Sequence, residues 1–181
     1  MRIFVCDVRK ALAAGEDEHV LARRLLAYAV AEVWGRELPP IEKDEMGKPY
    51  FPGGDNMHFS LSHTRTHVLA AVSEYPVGAD IETLRPVKES HKRLFSDGML
   101  ADFGYFGGWT LREAVFKLRS CGSLRSMEIR RVDGEIVTPF EDVRCALWGV
   151  EGCAVAAACR DSELPEEVEI IESAIIYSAD A

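Results

Sequence analysis

Apolar positions recur every second residue in some stretches and every third or fourth in others, and this alternation lays out the elements of the chain. The opening "MRIFVCDV" reads as a strand, too short and too soon charged to be a signal peptide. "EDEHVLARRLLAYAVAEVWG" predicts a helix, with acids in its first turn, Leu21, Leu25 and Tyr28 at helical spacing, and Gly35 as a stop. The Pro/Gly-rich connection over 37–56 predicts loop or edge strand. "MHFSLSHT" alternates as a strand does, "HVLAAVSE" reads as a strand or a short apolar helix, and "PVGADIETL" reads as a strand carrying two carboxylates. A polar stretch from Arg85 to Ser96 leads to a second helix through "WTLREAVFKLRS", ending near Gly122. "SMEIRRVDGEIV" places an Asp-Gly turn between two strand-like runs, and "CALWGVEGCAVAAAC" breaks at a second turn before a buried strand. Each half thus offers a long helix with several strands, and consecutive hairpins predict antiparallel sheets. The class is α+β.

Composition narrows this further. With 181 residues the chain can bury a sizeable core as one domain or two small ones. It has no apolar run of about 18 residues, which excludes a transmembrane helix on sequence grounds. Five cysteines, an odd number without a CxxC pair, argue for buried thiols in a reducing, cytoplasmic setting and against a disulfide framework or a cysteine-based zinc site. The net charge is −9, but residues 161–181 hold seven acids and no base, and without them the balance is −2. The body can therefore still gather basic residues locally. Interleaving of basic and aromatic residues, as on a nucleic-acid face, is absent.

Four short stretches could carry chemistry. In "GADIE", Asp80 and Glu82 fall on one face of a strand, with Ile81 on the other. Like charges so close need water or a cation to offset them, and paired carboxylates suit Mg²⁺ with substrate phosphate oxygens. In "WTLREAVFKL", Trp109, Glu113 and Lys117 form one helical stripe, with Arg112 assigned to the same polar side; an ordinary Glu–Lys surface pair would look alike. "GKPYF" brackets Lys48 with glycine and proline, which aims a cation, although a solvated turn lysine reads the same way. In "FSLSHT", Ser60, Ser62 and Thr64 share one face, with Leu61 and His63 on the other. His63 and His67 lie four apart, but strand-like flanks and the lack of a third ligand argue against zinc there.

The order of these stretches is more telling than any one of them. A basic amphipathic helix, then GKP, SLSHT, G-x-D-x-E and W-x-x-[KR]-E-A-x-x-K resembles the 4′-phosphopantetheinyl transferase superfamily, in its Sfp-type branch. The resemblance spans roughly residues 20–124 and extends into "SCGSL". It implies two similar α/β subdomains related by a pseudo-twofold axis, 1–76 and 77–181, the second ending in the acidic tail 161–181. It also implies transfer of the 4′-phosphopantetheine arm of coenzyme A to a serine of an apo acyl, peptidyl or aryl carrier protein, with release of adenosine 3′,5′-bisphosphate. A non-catalytic relative that binds coenzyme A or a carrier is the alternative. By the same resemblance, Asp80, Glu82 and Glu113 bind Mg²⁺, or Mn²⁺; Asp80, Glu113 and Lys117 are catalytic, Glu113 as ligand or base and Lys117 on phosphate oxygens. Lys48, His63, Arg23, Arg24 and Arg112 bind coenzyme A, Arg112 standing where lysine is common. The expected enzyme is a cytoplasmic monomer without nucleic-acid or membrane partners.

Overall fold

The computed structural model describes residues 1–53, 56–120 and 123–178. The expected helix end near Gly122, the Cys121–Gly122 part of "SCGSL" and Asp180 of the acidic stretch lie outside the described residues. The chain runs β1 (Arg2–Asp7), α1 (Arg9–Ala13), α2 (Glu18–Trp34), β2 (Glu42–Lys43), β3 (Pro49–Tyr50), β4 (His58–His63), β5 (His67–Ser73) and β6 (Val77–Thr83). It continues with α3 (Glu89–Lys92), α4 (Asp97–Arg119), β7 (Arg130–Val132), β8 (Glu135–Val137), β9 (Arg144–Val150), β10 (Cys153–Cys159), β11 (Glu169–Ile171) and α5 (Ser173–Ser178).

Helix α2 starts where Asp17 accepts from the backbone N–H groups of His19 and Val20, and stops at Gly35, whose φ of 61° is left-handed. Its buried Leu21, Leu25, Leu26 and Val30 pack on Phe4, Cys6, Val68, Ala70 and Val72 of β1 and β5. Each fully buried aliphatic side chain there contributes about 1.5–3 kcal/mol. Helix α4 begins at Asp97, capped by Ser96, well before the Trp109 start expected from the sequence. Gly104, Gly107 and Gly108 hide its period. Gly104 (φ 65°) kinks the helix, whereas Gly107 and Gly108 fit beneath Leu147 and against Phe95 and Met99. Gly107 and Gly108 permit close packing within the helix, and Gly104 is where it breaks.

One sheet has the order β11-β1-β5-β4 and the other β6-β10-β9, with β2-β3 and β7-β8 as small ribbons. The Asp133–Gly134 and Glu151–Gly152 turns have positive φ at both positions, matching the twist of the hairpins they close. The two large sheets face each other across Ile3, Val5, Leu69 and Ala71 on one side and Val77, Ala79, Ile81 and Val155 on the other. Helix α2 covers the outer face of the first sheet and α4 that of the second. The layers are therefore helix, sheet, sheet, helix. Connectivity repeats as well: β1, α2, β4–β5 and β6, α4, β9–β10 each run strand, helix, hairpin, and in each the first strand pairs with the second strand of the hairpin.

Within the stretch read as an acidic tail, Glu169–Ile171 and Ser173–Ser178 form regular elements. β11 pairs with β1 in parallel, the exception to an otherwise antiparallel plan, and Arg2 grips Glu169 through two hydrogen bonds of 2.7 and 2.6 Å. Ile171 and Ile176 then join the α2 core. Cys6, Cys145, Cys153 and Cys159 are free thiols, with burial pushing Cys6 up to about 11 and Cys145 up to about 12, so both stay protonated and unreactive. Among the described residues no helix is long and apolar enough to cross a membrane.

Candidate active site

Strand alternation divides β6 between two environments. Val77, Ala79 and Ile81 enter the core between the sheets, while Gly78, Asp80 and Glu82 face α4. Gly78 allows the approach: a Cβ there would lie 2.1 Å from the carbonyl oxygen of Ala114 and 2.4 Å from the amide nitrogen of Leu118. The strand is also fastened to β4. The hydroxyl of Ser60 accepts from the Ala79 N–H at 2.9 Å and donates to the Ala79 carbonyl at 3.3 Å.

This seating brings Lys117 to Asp80. The Lys117 Nζ donates to Asp80 Oδ1 at 2.7 Å, to the Ala79 carbonyl at 3.1 Å and to the Leu61 carbonyl at 3.2 Å, which occupies its three protons. Ser62 Oγ donates to the same Asp80 oxygen at 2.7 Å. Asp80 is only 6% exposed, and its Oδ2 is buried without a hydrogen-bond partner. Glu82 and Glu113 are both held above the ordinary carboxylate range, first by burial and then by the charge of Asp80. Arg85, 3.4 Å from Glu82 and stacked on the Phe106 ring, offsets part of that charge. Three carboxylates, one of them with an orphaned buried oxygen, supply the hard-oxygen chemistry that suits a divalent cation. Lys117 is the resident counter-charge, held by Asp80 and two carbonyls where the sequence pointed to phosphate oxygens. A set of ligand atoms all within 4.8 Å of one another is formed instead by Asp7, His67 and Glu151.

Lys48 approaches from the other side. Asp44 builds its turn, Oδ1 accepting from the N–H groups of Met46 and Lys48, with Gly47 at φ 82°. The Lys48 ammonium reaches the Leu118 carbonyl at 3.4 Å near the end of α4, and burial holds its pKa below the usual lysine value. Lys48 and Lys117 line one cavity of about 240 Å³ together with Gly47, Ser60, Leu61 and Phe116. His63 meets the ring of His19 edge-on, centroids 4.5 Å apart; burial first, and His19 second, lowers its pKa.

The remaining candidates separate. Arg23 is exposed on α2 and lines a different cleft, shared with Arg24, Arg36 and Glu37. Arg24 pairs with Glu16 at 2.6 Å and lies over the Tyr177 ring of α5. Arg112 corrects the expectation of coenzyme A binding: it is 2% exposed, donates to the Met127 and Leu94 carbonyls at 2.7 and 2.9 Å, and stacks on Phe95. Its guanidinium belongs to the core. Sequence reasoning passed over His19, Arg85 and the bonding roles of Ser60 and Ser62. The alternation that put both serines on one face of β4 was the available signal.

The fold and site define a layered α/β protein in which a partly buried carboxylate cluster, suited to a hard cation, adjoins a pocket lined by two lysines. The chain is related in sequence to 4′-phosphopantetheinyl transferases, as its motifs imply. It is 28% identical to a 4′-phosphopantetheinyl transferase of Bacillus subtilis, over 82% of this chain and 72% of that protein. It is 26% identical to the 4′-phosphopantetheinyl transferase Sfp of Bacillus subtilis (strain 168), over 70% and 66% of the two chains. With the 4′-phosphopantetheinyl transferase AcpT of Salmonella typhi the identity is 31%, over 61% and 63%. The match thus spans 63% to 72% of these relatives. No protein-family profile matches the chain.

Proposed function

We propose that this chain transfers the 4′-phosphopantetheine group of coenzyme A to a serine of an apo acyl, peptidyl or aryl carrier protein and releases adenosine 3′,5′-bisphosphate. The serine oxygen forms a new bond to the phosphorus of the pantetheine arm as the pyrophosphate P–O bond breaks. The nucleophile comes from the partner, so the chain needs none of its own, consistent with buried, protonated thiols. Asp80, Glu82 and Glu113 would hold Mg²⁺, or Mn²⁺, which supplies charge neutralisation and orientation at the pyrophosphate.

The chain's own residues do the rest. Glu113, a metal-held carboxylate beside the incoming hydroxyl, takes the serine proton directly or through water. Lys117 offsets charge on the leaving phosphate, and Lys48 and His63 bind coenzyme A phosphates, with Arg23 at the nucleotide end. The repeated strand–helix–hairpin order supports two halves related by a pseudo-twofold axis and meeting near residue 76, with the site in the cleft between them. One chain then supplies both halves, so the enzyme works as a monomer, in the cytoplasm. The observation that carries this reading is α4 seated on Gly78, with Lys117 on Asp80 and Glu113 beside it. A pure binder has no use for such a charge-repelling cluster, which disfavours the non-catalytic alternative. Incubation with coenzyme A, Mg²⁺ and a panel of apo-carriers, followed by intact mass spectrometry, tests it: one phosphopantetheine adduct is expected. Tight coenzyme A binding with no adduct on any carrier would overturn catalysis.

A further inference from the structure

A second cluster lies at one end of the layer between the sheets, on the far side of β6 from Asp80. Asp7 ends β1, His67 opens β5, and Glu151 sits in the β9–β10 turn, so three chain segments from both sheets converge. Their ligand atoms all lie within 4.8 Å of one another, and His67 Nε2 is 3.3 Å from Glu151 Oε2. Two ligands bonded to one tetrahedral zinc at about 2.0–2.1 Å stand about 3.3 Å apart, so that spacing suits a shared ion.

His67 is prepared as a ligand. It is 2% exposed, and its Nδ1 is engaged by Thr66 Oγ1 at 2.9 Å and by Cys153 Sγ at 3.3 Å. The Thr66 hydroxyl is itself fixed by Thr64 at 3.0 Å and Thr83 at 2.9 Å. An Nδ1–H donating to Thr66 leaves the Nε2 lone pair directed at carboxylate oxygens, an arrangement that needs a cation or a proton between them. Outer contacts of this kind fix the tautomer and ring of metal-binding histidines. Asp7 accepts from the Arg9 backbone N–H at 2.9 Å, and both of its oxygens accept from the Arg9 guanidinium, which fixes the carboxylate; an ion here draws one oxygen away from that pairing. Asp7 and Glu151 line a cleft of about 540 Å³ with Lys10, Glu172 and Ser173, which gives an ion a route in and room for a water as fourth ligand.

We infer that Asp7, His67 and Glu151 form a binding site for a divalent transition ion, zinc above all, that ties the two sheets together at this end. One imidazole nitrogen and two carboxylates favour Zn²⁺ over Mg²⁺, which prefers an all-oxygen shell. The site is separate from the Asp80 cluster: Thr83, next to this histidine, contacts Thr66, whereas Asp80 and Glu82 face α4.

The full chain, stripped with chelator, is titrated with Co²⁺ and then with Zn²⁺ in excess Mg²⁺, with visible absorption and melting temperature as readouts. Asp80→Asn serves as background to silence the other cluster. A four-coordinate Co²⁺ spectrum, displaced by Zn²⁺ and not by Mg²⁺, is expected, with a zinc-dependent rise in melting temperature. The exposed Glu151→Gln should fold, bind at least about tenfold more weakly, in line with the loss of even an outer-shell partner, and lose the zinc-dependent rise. His67→Ala repeats the test from the buried side. An absence of Co²⁺ and Zn²⁺ uptake, or uptake unaltered in Glu151→Gln, would overturn the inference and leave His67 as a structural ion-pair partner.

Discussion

Gly78→Ala tests how the site is assembled. The added Cβ would meet the Ala114 carbonyl oxygen at 2.1 Å, the Leu118 nitrogen at 2.4 Å and the Leu118 Cα at 3.0 Å. All three are backbone atoms, so no side-chain rotation relieves the overlap. Restoring an ordinary contact of 3.4 Å to the carbonyl requires α4 to move about 1.3 Å away from β6. Overpacking a core costs about 1–3 kcal/mol, and an unyielding helix backbone places this case near 3. The same movement stretches the 2.7 Å Lys117–Asp80 bond and withdraws Glu113, and an ångström of misplacement costs a reaction on the order of 100-fold. Urea denaturation followed by tryptophan fluorescence reads the first effect, and carrier modification by intact mass the second. A variant within about 0.5 kcal/mol of the wild type, with an unaltered transfer rate, would refute the close seating of α4 on this glycine.

Three further outcomes follow from the same geometry. Lys117→Met leaves Asp80 buried with Ser62 alone, and loss of one partner of a buried pair should cost about 3 kcal/mol in urea denaturation, since Lys117 is partly exposed; an unchanged midpoint would contradict the pair. Glu113 is held above its ordinary value, so the folded chain keeps a proton that the unfolded chain releases. Metal-free wild type therefore loses stability as pH rises from about 4.3 through the raised value, and Glu113→Gln should be the more stable at about pH 7 and equal near pH 4 in thermal melts with chelator; a wild-type advantage at about pH 7 would refute this. Arg112→Lys should lose the paired carbonyl bonds and the Phe95 stack, lowering stability by about 2–4 kcal/mol while the folded fraction binds coenzyme A unchanged by calorimetry; a selective loss of coenzyme A affinity would return Arg112 to the site.

Much of the fold was legible wherever local pattern and tertiary role agree. The alternation in "FSLSHT" and "VGADIE" gave β4 and β6, Gly35 ended α2, and Asp133–Gly134 closed a hairpin. The extent of α4 was not, because Gly107 and Gly108 are there for Leu147, Phe95 and Met99, contacts from distant segments. Arg112 misled for a related reason. Sequence placed it on the polar side with Glu113, but α4 is covered on two sides, and the segment bearing Met127 turns that flank into core. β11 was hidden by its acids, since its partner β1 lies at the opposite end of the chain. Around β6, spacing singled out Asp80 and Lys117, which the structure brings into contact. The Ser62 bond to Asp80 and the packing of His19 on His63 arise only when separate elements meet.

The most direct measurement is the mass of an apo-carrier after incubation with coenzyme A and either the wild type or Asp80→Ala, each with Mg²⁺ and with chelator. A single phosphopantetheine adduct is expected from the wild type with Mg²⁺, and none from the other three reactions. Equal modification by Asp80→Ala, or by the chelated wild type, would contradict it.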